Sequence, residues 1–125
     1  MKKSRTKLLT ALQQLHQQRR HLVRRLKREH ELAIGSVSVV NRKCGNPSCH
    51  CIDGSGHPQT LFLFKDRKDG HRRCKLIRRA DEARMLQAGE RYRQFRADLK
   101  RLRAIDLEEK QILMALAEVR AIRYS

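Results

Sequence analysis

The sequence predicts a mainly α protein with a small β-hairpin, in which two long, coiled-coil-like helices flank a zinc-knuckle and hairpin insert. Three observations carry this expectation. Neither Gly nor Pro occurs between Ser4 and Ala33 or between Glu90 and Ile122. Apolar residues recur in both stretches at helical spacing, and Gly, Pro, Cys and His crowd into the middle of the chain.

In the first stretch Leu8, Leu12, Leu15, Leu22, Leu26 and Ala33 alternate by fours and threes, with Arg19 and Glu29 at the missing positions. This predicts a basic amphipathic helix over residues 1–34, ended by Gly35. Such a helix is too long for a small globule to cover, so it must pair with another. Ser36–Val40 is short and β-branched. Thr60–Phe64 and His71–Ile77 flank a Lys-Asp-Arg-Lys-Asp-Gly turn, so residues 35–79 are expected to form a Cys/His knuckle and a β-hairpin. Leu61 and Leu63 alternate with Phe62 and Phe64, which means either burial on both faces or one apolar face left open. Residues 80–125 are expected to be helical, with a pause at Gly89, and to serve as a dimerisation region. Their apolar stripe runs through Tyr92, Phe95, Leu99, Leu102, Ile105, Ile112, Leu116 and Val119, shifts phase near Ile105 and is interrupted by Glu109. A homodimer held by the long helices is the expected assembly, with intramolecular pairing as its rival.

With 125 residues, 39% hydrophobic and only 4% aromatic, the chain has room for one small domain and no large enclosed substrate pocket. Its net charge of +17 exceeds what solubility requires and points to a polyanionic partner. That charge is uneven. Residues 1–43 hold 12 basic and 2 acidic side chains, residues 44–80 hold 8 and 3, and residues 81–125 hold 10 and 8. The first helix and the hairpin therefore resemble anion-binding surfaces, whereas the balanced last helix resembles one that pairs with protein. No membrane span or apolar signal core is visible, so a cytoplasmic location is expected, with nucleoid association compatible with the charge.

On a helical wheel Gln13, Gln17, Arg20, Arg24, Lys27 and Arg28 gather opposite the leucine stripe. Guanidinium groups bind phosphates or guanine edges and Gln amides pair with adenine edges, so this face suits a nucleic-acid groove. The hairpin adds Lys65, Arg67, Lys68, Arg72 and Arg73 as phosphate contacts. Phe62 and Phe64 read first as core residues, with stacking on an exposed base as the alternative. Cys44, Cys49, Cys51 and His57 can close one tetrahedral Zn2+ shell, with Gly45 and Pro47 supplying the turn between the first two thiols. His50 and Cys74 are rival ligands. A closed shell of this kind is structural, and neither an activated cysteine nor a carboxylate cluster is complete, so no enzymatic activity is expected.

The run Cys44-Gly45-Asn46-Pro47-Ser48-Cys49-His50-Cys51 with His57 resembles the hallmark of a short, largely uncharacterised family of bacterial proteins, often carried by mobile elements. That hallmark is a Cys-Gly-x-Pro-x-Cys-x-Cys knuckle followed by a His, an aromatic strand, a Gly turn and a basic strand leading into a helix. Cys44, Gly45, Pro47, Cys49, Cys51 and His57 match, and the likeness runs from Gly35 to about Arg103. Pro58-Gln59-Thr60 stands where the family has Gly-Pro-Tyr, which removes any role of that tyrosine. The resemblance implies a context of DNA mobility or its control. The expected function is thus a zinc-stapled nucleic-acid-binding accessory protein, with DNA slightly favoured over RNA. The alternative is an adaptor that binds a transposase, recombinase or other mobile-element enzyme through its long helices.

Overall fold

The computed structural model describes residues 4–43, 45–49, 54 and 56–124. The elements run α1 (Arg5–Leu26), β1 (Ser36–Arg42), β2 (His57–Lys65), β3 (Arg72–Leu76), a 3-10 turn (Arg79–Asp81) and α2 (Glu82–Val119). They form two compact units. One joins Met1–Glu29 to Phe95–Ser125, and the other is His30–Gln94. Helix α2 contributes to both.

In the first unit α1 starts at Ser4, whose hydroxyl accepts from the Lys7 amide. Its stripe lies as the spacing predicts, with Leu8, Leu15 and Leu22 buried. Leu15 and Leu22 form a core with Ile105, which is fully buried, and Ile112 packs against it. The stripe that argued for a homodimer is therefore covered within a single chain, by α2. The two polar interruptions of the stripes meet one another: Arg19 donates to Glu109 at 3.1 Å and also pairs with Asp106. Arg25 reaches the buried Asp98 at 3.0 Å, and Arg101 donates to Gln18 at 2.7 Å. Charge pairs at defined depths fix register where leucine layers alone would tolerate slippage.

Helix α1 ends at Leu26, short of the expected residue 34. Ala33 is needed elsewhere: it is buried with Val37 and Ala88, and its amide donates to the Ala88 carbonyl at 3.1 Å. The Ala33 amide is thus bonded outside any helical ladder of its own, so tertiary packing overrides local propensity.

The second unit contains a three-stranded antiparallel sheet in the order β1-β2-β3, one strand more than the expected hairpin. The segment Ser36–Val40 pairs along β2, with Val37 opposite Phe62 and Arg42 opposite His57. The face carrying Phe62 packs on α2 through Val37, Met85 and Leu86. The other face is open, with Leu63 47% and Leu76 61% exposed. Alternation was compatible with either outcome, and the structure selects the open face. Thr60, also buried, donates its hydroxyl to Glu82 at 2.7 Å and ties β2 to the start of α2. The expected pause at Gly89 is absent, and α2 runs straight through it. A Cβ there would lie 2.9 Å from the Val37 side chain, so the glycine serves close approach of helix to strand rather than helix ending.

The Arg25–Asp98 pair generates a stability prediction. Arg25→Leu should cost about 1–3 kcal/mol, because Asp98 then keeps a buried carboxylate without its guanidinium while the arginine head was itself partly solvated. Arg24→Leu, on the exposed face, should stay within about 0.5 kcal/mol of wild type. Urea denaturation of both variants, with Asp98→Leu closing a double-mutant cycle, checks the contrast.

Candidate nucleic-acid interface and metal knuckle

The burial of α1 on α2 sorts the basic residues of α1 into two sets. Arg19 and Arg25 flank the packed stripe and are neutralised by Asp106, Glu109 and Asp98. The hydrogen bond to Asp106, opposed by desolvation and aided by both carboxylates, raises the Arg19 pKa further above its ordinary value, so the guanidinium keeps its charge. Arg20, Arg24 and Lys27 lie on the outer face with Gln13 and Gln17, all exposed. Among the described residues none of those three cations has an ion-pair partner. Arg28 lies beyond the end of α1, so it leaves this helical face and borders it. Gln13, Gln17, Arg20 and Arg24 thus share one face of a helix roughly 33 Å long at about 1.5 Å per residue, with Lys27 at its C-cap.

The hairpin is similarly divided. Its turn is built by Asp66, whose carboxylate accepts from the Lys68 amide at 2.8 Å, and by Asp69, which accepts from the His71 amide at 2.9 Å. Arg73 donates to both acids, at 2.9 and 2.6 Å, and is held as part of the turn. Lys65, Arg67, Lys68 and Arg72 remain exposed and make no ion pair with a described residue. Of the expected phosphate contacts here, Arg73 is therefore the one already engaged. The rings of Phe62 and Phe64 stack at 4.9 Å between centroids, and the Lys75 ammonium lies 6.0 Å from the Phe64 ring. The place of Lys75 beside the rings depends on the β2–β3 register, which composition alone does not show.

The residues expected to form the knuckle fall in sequence between β1 and β2. Because Arg42 pairs directly with His57, the two ends of the connection are held a strand spacing apart. Gly56, at φ +93°, brings its backbone so close to Arg42 and Lys43 that a Cβ would come within 2.4 Å of the Arg42 carbonyl carbon. The Cys49 Sγ lies 3.0 Å from the His57 Nε2. Two ligands on one tetrahedral zinc sit about 3.5 Å apart, so this pair needs to open only slightly to share an ion. Cys44, Cys51 and the rival ligand His50 lie outside the described residues, and among the described residues no group of three His, Cys, Asp or Glu gathers. Cys74 is exposed and sits opposite Leu63, six residues along β2 from His57. That is about 20 Å at roughly 3.3 Å per residue, which removes Cys74 as a ligand of the same ion.

No described helix is long and apolar enough to cross a membrane. Comparison with curated proteins and with solved structures returns no match. A family model described as a domain of unknown function (DUF6788) matches residues 12–87, from the middle of the α1 stripe through the sheet to the start of α2. That match covers more than half of the sequence, and the chain belongs to this family.

Proposed function

We propose that the protein is a zinc-stapled nucleic-acid-binding accessory factor, DNA being slightly favoured over RNA, that acts with a bacterial mobile element. One observation carries the reading: the acids of α2 neutralise the arginines beside the packed stripe and leave Arg20, Arg24 and Lys27 unneutralised on the outer face. A face used only for solvation has no need of such an imbalance, whereas a phosphate backbone supplies the missing negative charge. The exposed cations of the β2–β3 turn offer a second contact of the same kind. Zinc on Cys44, Cys49, Cys51 and His57 would close the connection that presents β1 and β2, a structural role that leaves no coordination position open for catalysis. The mobile-element context rests on the likeness of the knuckle sequence. A second reading, an adaptor for a mobile-element enzyme, draws on the open sheet face with Leu63 and Leu76.

Reversing Arg20, Arg24 and Lys27 to Glu should weaken binding to a labelled duplex far more than reversing Arg93, Arg101 and Arg103. Arg93 and Arg101 are already paired with Glu90 and Glu108. Each lost phosphate contact should also reduce the slope of log affinity against log salt by about 0.9 on duplex DNA. Equal losses from both triple variants, with folds intact, would mean diffuse attraction to a basic protein.

Elemental analysis of freshly reduced protein should find about one zinc per chain. Cys49→Ser should abolish zinc binding and loosen the β1–β2 connection while preserving most helical circular dichroism, because α1 and the second half of α2 have their own core. Metal-free wild-type protein would contradict the staple.

A further inference from the structure

A groove of about 880 Å³ lies within the second unit, between the Phe62 face of the sheet, the segment before β1 and the first turns of α2. Its floor is apolar, formed by Phe62, Phe64, Ile77 and Met85, and its rim carries Lys65, Arg67, Lys75 and Arg78. Two of the three acids that line it are engaged. Glu31 is bound by Arg84, whose hydrogen bond holds the carboxyl below its ordinary pKa, and Asp66 is bound by Arg73. The four rim cations make no ion pair with a described residue, so the groove combines an apolar floor with an unneutralised positive edge.

We infer that this groove binds single-stranded nucleic acid by taking an unpaired base onto the Phe64 ring while the rim cations hold the flanking phosphates. The inference rests on the nucleic-acid reading and narrows it to a strand with unpaired bases. An occupant of this groove must be flat and apolar where it meets the floor and anionic where it meets the rim. Nucleotides have that form: the base presents a π-face to an aromatic ring and the backbone carries one charge per residue. One side of Phe64 is backed by Phe62 in a near-parallel stack with 19° between planes, which fixes the ring as a platform. Lys75 stands over the ring, where a cation–π contact holds its ammonium. A base arriving there replaces the ammonium on the ring, and the long lysine side chain swings to a phosphate. Duplex DNA offers no base face to the ring, so the groove and the outer face of α1 would answer to different features of the polymer.

The test compares a labelled (dT)12 strand with an abasic 12-mer of the same backbone, so that charge is constant and only the base differs. Wild-type protein should bind (dT)12 roughly tenfold more tightly, the effect of about one base–aromatic stack. Phe64→Ala should erase that preference and leave abasic affinity unchanged. Phe64→Leu fills nearly the same apolar volume without a π-face, so it carries the same test if the alanine variant fails to fold, and Phe64→Tyr should keep the preference. Equal affinity of wild type for the two strands, a preference retained in Phe64→Leu, or displacement of (dT)12 by a poly-Glu peptide of equal charge as readily as by unlabelled strand would overturn the inference. Salt-sensitive duplex binding without base preference would remove this inference alone. Absence of binding to duplex, (dT)12 and abasic strand alike would remove the nucleic-acid reading with it.

Discussion

The packing of α1 against the second half of α2 is the constraint on which the rest depends. Leu15, Leu22 and Ile105 supply the apolar contact, and burying each such side chain stabilises the fold by about 1.5–3 kcal/mol. Leucine layers by themselves say little about register, because a shift of one turn again finds leucine. Arg25 on the buried Asp98, and Arg19 on Asp106 and Glu109, match at one register. These pairs do more than align helices. By using the acids of α2 at the seam, they decide which cations of α1 stay uncompensated and so where the positive field of the first unit points.

Much of this was legible in the sequence. The four-and-three spacing of the leucines located the buried side of α1, and the polar residues that broke each stripe, Arg19 and Glu109, turn out to be partners. Two interruptions of opposite charge in two apolar stripes are a signal of intramolecular pairing, the rival that the sequence set beside a homodimer. The buried Asp98 was harder to see, since an aspartate between Phe95 and Leu99 looks like any exposed helix residue until its arginine is placed. The end of α1 was not legible at all. Residues 27–33 have acceptable helix propensity, and only the structure shows that the Ala33 amide is used by the Ala88 carbonyl instead of a helical ladder.

The sheet shows the same division between what pattern fixes and what packing fixes. Alternation placed Phe62 and Phe64 on one side and Leu61 and Leu63 on the other, but covering the first side required α2, and admitting α2 required Gly89 to accept Val37. The same glycine, met in the sequence, suggested a break in the helix. At the connection between β1 and β2, residue types and spacing suggested a ligand set, and the pairing of Arg42 with His57 gives the proposed zinc a mechanical purpose, since it would close the connection between two paired strands. Cys74, chemically an equal candidate, is removed by distance along the strand. The turn after β2 makes a parallel point for charge, since Arg73 belongs to Asp66 and Asp69 while its neighbours face outward.

The central claim is that the exposed cations of the outer face of α1 and of the β2–β3 turn, and not the basic residues as a whole, meet nucleic acid. Lysine acetylation footprinting with mass spectrometry tests it on the unmodified chain, because Lys27, Lys65, Lys68, Lys100 and Lys110 are all exposed before ligand is added. With a saturating labelled oligonucleotide at moderate salt, reactivity should fall at Lys27, Lys65 and Lys68 and remain unchanged at Lys100 and Lys110 on α2. Uniform protection of all five, or protection confined to Lys100 and Lys110, would contradict the account.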